Sequence, residues 1–158
     1  MKTFLRFAVK VTVAHVVTYF VAGALAYQLL TKPFYVGPDA VFASFMRTEA
    51  DPALWSHVMR WFLPGNMLRG ILMALALFPF LDRLTSWPFG KRFLSLAGLY
   101  LIFGFWATAV AAPGTLEGMV YMRPEITPYA HVTVQPEIVV QGLAFTAWLA
   151  WWVAREPA

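Results

Sequence analysis

Apolar positions gather into four long runs that carry almost no charge: residues 9–31, 64–82, 93–112 and 136–154. Each is close to the ~20 residues that a helix needs to cross the ~30 Å hydrocarbon core of a bilayer. Two more polar stretches, residues 32–63 and 113–135, separate the members of each pair. The pattern predicts an all-α integral membrane protein with four transmembrane helices, formed from a single domain over residues 1–158 and bearing two large outer loops.

The boundaries of the runs follow from local chemistry. Lys2, Arg6 and Lys10 precede the first, which from residue 11 is uncharged apart from His15. Ala24-Leu25-Ala26 resembles the small-x-small site of a cleaved signal peptide. Lys10 and His15 fit a signal core badly, and the run continues through Leu29 and Leu30, so a retained span is expected. Lys32-Pro33 is expected to end that helix, because proline disfavours helical backbone in the residue before it. Pro38-Asp39 predicts a short helix through Met46. Asp51-Pro52 is a stronger start, with Asp as cap and Pro at the first helical position. From there Leu54, Trp55, Val58, Trp61 and Phe62 share one helical face, while Ser56, His57 and Arg60 share the other. This predicts an amphipathic helix lying in the membrane interface; a lid packed on the bundle would bury the same face. Pro64 suits the first turn of the second span, and Pro79 kinks or ends it. Asp82, Arg83, Lys91 and Arg92 fall in a short link with Pro88 and Gly90. Pro113-Gly114 breaks the third span, and Pro136-Glu137 opens the fourth.

Composition agrees with a bilayer as solvent. Hydrophobic residues make up 60% of the chain and charged ones 13%, against about 25% charged in an average soluble domain. Seven Trp and six Tyr, many near the ends of apolar runs, match an interfacial aromatic belt. The net charge of +4 is explained by topology rather than by nucleic acid, because the bases flank the apolar runs. Lys2, Arg6, Lys10, Arg83, Lys91, Arg92 and Arg155 fall on one side with only Asp82 and Glu156, which places that side and both termini in the cytoplasm. The absence of cysteine excludes thiol chemistry, disulfides and thiolate metal sites.

The second and fourth runs share an outline. Pro64 precedes Arg69-Gly70 and Arg83; Pro136 precedes Gln141-Gly142 and Arg155. Both first spans lead into a basic-Pro pair, Lys32-Pro33 and Arg123-Pro124. The halves thus read as two parallel two-helix repeats related by an axis along the membrane normal. Chance is the competing explanation, since Pro and Gly recur at helix starts on their own. Small residues mark expected helix contacts: Thr18, Ala22 and Ala26 on the first span, Ala97, Gly104, Thr108 and Ala111 on the third, and Gly142, Thr146, Ala150 and Ala154 on the fourth.

Arg69 is the leading candidate for chemistry. An arginine inside a span usually faces the bundle or a wet cavity. Gln141 holds the matching place in the other half, so the two are expected to ring an outer-leaflet pocket that takes a carboxylate or phosphate on the planar guanidinium. Snorkelling to the interface, or pairing with Glu137, Glu117 or Glu125, is the ordinary alternative. Arg123, His57, His131 and Glu137 complete the candidate ligand-binding set. The two histidines precede the two prolines and would meet above the bundle, near Glu125 or Glu137; their spacing matches no metal motif, and no metal site is assigned. His15 lies in the inner half of the first span with Thr12 and Tyr19 on its face. A hydrogen bond to Tyr or Thr is its ordinary explanation, and haem ligation by two histidines is disfavoured because the others fall on the opposite side.

No phosphate-binding Gly loop, nucleophile elbow or His-Glu-x-x-His motif occurs. No cofactor is implied, no catalytic residue is assigned, and an enzyme is disfavoured. The expected partners are the lipid bilayer, a small anionic ligand or lipid, and other membrane subunits or a second copy, with no role for nucleic acid. Two functions follow. The chain binds or handles a small anionic ligand or lipid at the outer-leaflet pocket, or it serves as an accessory subunit docking a larger membrane complex. Arg69 favours the first, since a purely structural bundle has less need to keep it. An enzyme acting on lipid-linked substrates through His57 or His131 has the least support, lacking any nucleophile.

Overall fold

The computed structural model describes residues 2–155, and among these the chain is all-helical. α1 (Lys2–Ala26) passes without a break into a π-helical segment, Tyr27–Thr31, and then into α2 (Lys32–Tyr35). The stop that Lys32-Pro33 predicts does not occur. Pro33 falls in the first turn of α2, where the wider bonding of the π segment gives way, so its missing N–H breaks no established ladder. Among the described residues this rod, Thr3–Tyr35, is the one helix long and apolar enough to cross a membrane.

The chain then turns back. Val41–Ser44 forms a short 3-10 segment in place of the longer helix that Pro38-Asp39 predicts. α3 (Pro52–Leu77) begins as the sequence predicts: the Ala53 and Leu54 amides donate to Asp51 Oδ1 at 2.9 and 3.2 Å. It then runs straight through Pro64. The amphipathic stretch and the second apolar run are therefore one 26-residue helix, not an interfacial helix followed by a separate span. Proline removes one bond, to the Arg60 carbonyl, and both residues lie on the exposed side where that loss is least costly. Pro79 sits in a 3-10 segment, Phe78–Phe80, that leads into α4 (Leu81–Ser86).

α5 (Phe89–Gly98) continues as a π-helical segment, Leu99–Trp106. The third helix thus ends at Trp106, well before Pro113. The Ala107 amide turns back onto the Ile102 carbonyl at 2.7 Å and closes it. Two short helices, α6 (Leu116–Tyr121) and α7 (Pro128–Thr133), fill the second connection. α8 (Gln135–Val153) closes the described chain, with Pro136 in its first turn, unlike Pro64 in the interior of α3.

α1 and α8 form the centre. α1 packs on α3 and on α8, and α8 packs on α5. Phe7, Val11 and Ala14 of α1 meet Ala74, Leu84, Leu96, Phe145 and Leu149 in one core. A second cluster, Phe34, Phe42, Ile126 and Ala130, closes the other end beneath α7. The small residues expected at contacts are buried on α1 (Thr18, Ala22, Ala26) and over most of α8 (Gly142, Thr146, Ala150), although Ala154 is exposed. On the third helix only Ala97 is buried, while Gly104 and Ala111 are exposed. The π turns rotate the register there, and Thr108 and Ala111 lie beyond the helix end.

Gly70 lets α1 and α3 approach closely. A Cβ there would sit 2.7 Å from Thr12 Cα, so the two helices meet backbone to backbone. The outward faces carry large apolar side chains, among them Phe20 and Leu25 on α1, Leu72 and Leu75 on α3, Leu94 on α5 and Val140 on α8, each more than half exposed.

Candidate functional site

α3 and the third helix flank the α1–α8 pair, and the space between them is a cavity of about 840 Å³. Met73 and Leu77 of α3 and Phe80 of the 3-10 segment after it line it on one side, and Leu96, Leu99 and Phe105 of the third helix on the other. Its polar groups gather away from that apolar end: Arg69, Glu137, Gln141 and the three tyrosines Tyr19, Tyr35 and Tyr100. A second recess of about 580 Å³ lies between α1 and the first half of α3, and it shares Tyr19, Tyr35 and Glu137 with the first.

Each polar group is placed by an identifiable feature. Gly70 presses against Thr12, and the ~100° step to the preceding helical residue turns Arg69 toward the cavity. Gln141 Nε2 donates to Tyr100 Oη at 2.8 Å, tying α8 to the π segment. Its side chain is nearly buried by that contact. Glu137 sits one turn earlier on α8 and reaches α1 at Gly23, where a Cβ would lie 3.3 Å from Glu137 Oε1. Among the described residues, neither the Arg69 nor the Glu137 side chain forms an ion pair or hydrogen bond. The pairing of Arg69 with Glu137, Glu117 or Glu125 is therefore not made. A guanidinium and a carboxyl group thus line one cavity without partners among the described residues.

The other sequence candidates lie elsewhere. Arg123 is exposed and pairs loosely with Glu125 at 3.8 Å. His57 is exposed on α3, beside the Trp61 ring. His131 is buried, and its Nδ1 accepts the Gly114 amide at 2.9 Å. The two histidines thus do not meet, because α3 carries His57 outward while α7 turns His131 in. Gln135 completes that clamp: it donates to the Gly114 carbonyl at 2.8 Å and accepts Trp106 Nε1–H at 2.9 Å. Gly114, at φ +88°, makes the turn that both side chains hold. We expect His131→Ala to orphan the Gly114 amide, speeding its hydrogen exchange by about tenfold or more while leaving ligand retention intact. Loss of retention with unchanged exchange would instead make His131 a binding residue.

His15 is fully buried, and neither ring nitrogen has a hydrogen-bond partner. The bond to Tyr or Thr is absent; its ring instead packs on Tyr19 at 5.8 Å and Phe145 at 5.7 Å. Among the described residues no three His, Asp or Glu side chains gather as a metal site would require. Sequence reasoning did not single out Tyr35 or Tyr100 as site residues. Their only signal is aromatic content near run ends, which the interfacial belt absorbs.

No known protein family, curated protein or solved structure matches the chain. Its class therefore rests on its own geometry: an all-α, bundle-like protein with a polar-ended, partly open cavity between helices.

Proposed function

We propose that this is a small multi-pass membrane protein that binds or handles a small anionic ligand or lipid in the cavity beside Arg69. Two observations support a membrane setting. The rod Thr3–Tyr35 is long and apolar enough to span a bilayer. The outward faces of α3, the third helix and α8 also expose Leu, Ile, Val and Phe in a density that water would penalise and lipid tails would cover. On this reading all four long helices span. The link at 87–88 faces the cytoplasm, and residues 36–50 and 107–134 face outside.

The observation that carries the function is the unpaired Arg69 guanidinium facing a cavity of a size typical of ligand sites. Arg69 is exposed on α3 where it lines this cavity, and within a bilayer a cation there is costly unless it meets an anion or water. Its five-donor fork suits a phosphate or carboxylate. The adjoining Tyr19 and Tyr100 add hydroxyl donors, and the apolar remainder of the cavity suits a hydrophobic tail.

Native mass spectrometry in mild detergent tests this with wild type beside Arg69→Gln. The wild type carries a discrete anionic lipid or metabolite; the variant inserts and folds but loses it, with affinity down about ten- to a hundredfold. Equal retention by both rejects the site. A stable stoichiometric polypeptide on both proteins, with no small ligand, would favour the accessory-subunit reading instead.

A further inference from the structure

The cavity carries a second unpaired charge that an anion site does not need. Glu137 lines both recesses, faces Tyr19 and Tyr35, and has no cationic partner among the described residues. If the ligand were a simple anion, this carboxylate would repel it. A carboxylate in such surroundings asks for a cation, and tyrosine faces beside it add the cation–π attraction that an ammonium group uses.

The order of the groups along the bundle is also informative. Glu137 lies four residues before Gln141 on α8, a rise of about 6 Å. On α1, Glu137 Oε1 lies against Gly23, whereas Gly70, the neighbour of Arg69, lies against Thr12. Those two positions are ~16 Å apart along the helix, so Arg69 is rooted further along the bundle than Glu137. Beyond Arg69, Met73 and Leu77 of α3 and Phe80 of the following 3-10 segment line the cavity without another charge. The sequence of environments is acid with aromatic faces, then guanidinium, then hydrocarbon. In the orientation proposed above, that order runs from the outer surface inward.

We infer that the cavity is a site for a phospholipid whose headgroup pairs a primary ammonium with a phosphate, held by Glu137 and Arg69 respectively, with its tail along the apolar α3 wall. This assignment rests on the anion-site reading of Arg69 and deepens it. An outer-leaflet phosphatidylethanolamine presents the same order: ammonium outermost, phosphate next, acyl chains inward. The shared chemistry, an aminoalkyl phosphate, also occurs in water-soluble molecules, but those have no use for the hydrocarbon end of the cavity.

The test loads the delipidated full-length protein with an equimolar mixture of phosphatidylethanolamine and phosphatidylglycerol and counts bound lipid by native mass spectrometry. The wild type favours phosphatidylethanolamine by about tenfold, the worth of one charge-assisted contact, and this comparison needs no variant to fold. Glu137→Gln abolishes the preference for phosphatidylethanolamine and leaves phosphatidylglycerol as well bound as before or better. Arg69→Gln loses both. No preference in the wild type, or a preference that survives Glu137→Gln, overturns the ammonium assignment, while loss of phosphatidylglycerol in Arg69→Gln would still uphold the anion site. Retention of both lipids by Arg69→Gln would overturn the two readings together. Displacement of the lipid by O-phosphoethanolamine at equal concentration would overturn the lipid assignment in favour of a soluble ligand.

Discussion

Arg92→Ala is expected to unfold the end of the bundle where α4, α5 and α8 meet, lowering stability by about 3 kcal/mol or more, because each orphaned buried acceptor costs about 1–3 kcal/mol. The side chain is 3% exposed. Its Nε donates to the Leu84 carbonyl, Nη1 to Ala150, and Nη2 to Trp87 and, at 3.4 Å, Thr85. One guanidinium thus joins the end of α4, the link to α5 and the last turns of α8. These carbonyls lie where helices end and have no amide of their own to accept from. A cation there also opposes the negative ends of two helix dipoles. Arg92→Lys should recover only part of the loss, since an ammonium lacks the planar fork that reaches several acceptors at once. Thermal unfolding in detergent, following tryptophan fluorescence, checks the ranking: wild type above Lys above Ala. An alanine variant as stable as wild type would show that water satisfies those carbonyls.

Gly70→Leu should be comparably damaging, by about 3 kcal/mol, the upper range for overpacking a close-packed seam. The Cβ alone would lie 2.7 Å from Thr12 Cα and 2.9 Å from Thr12 Oγ1. Backbone cannot rotate away as a side chain can, so α3 has to move off α1. That shift swings Arg69 out of the cavity as well. The expected result is a lower unfolding temperature together with weaker lipid retention. Gly142→Leu makes a useful contrast. Its collision is with Leu101 Cδ2 at 2.5 Å, the end of a flexible side chain, so its penalty should be smaller.

Much of the fold was legible because it depends on apolar length and helix caps. Each of the four apolar runs is largely helical, the third only as far as Trp106, and Asp51 caps α3 through the two amides that its sequence context predicts. What sequence could not resolve was how helices cross prolines. Pro33 and Pro64 carry the same local signal, yet both lie inside continuous helical paths. Whether a lost amide bond ends a helix depends on the packing on either side, which no local pattern records. The third helix ended early for a related reason, since π turns change the register without a distinctive residue.

The candidate site was legible in part: Arg69 and Gln141 hold matching places after two prolines, Glu137 was expected near them, and the three line one cavity. The tyrosines were missed because aromatic residues in an apolar run look alike whether they face lipid or a cavity. His131 and Arg92 misled in opposite ways. A buried histidine clamping a turn reads as a ligand, and a buried arginine tying three helical elements reads as a topology signal. Both roles come from long-range partners: Gly114 for His131, and Ala150 for Arg92.

Everything proposed for the cavity depends on which side of a bilayer its polar end faces. The chain has no cysteine, so single cysteines placed at exposed Ala50, Ser86 and Glu125 report topology without background. Intact cells are treated with a membrane-impermeant maleimide and compared with permeabilised cells. Ala50→Cys and Glu125→Cys are expected to label in intact cells, whereas Ser86→Cys labels only after permeabilisation. Labelling of all three from one side, or of Ser86→Cys alone in intact cells, would contradict it.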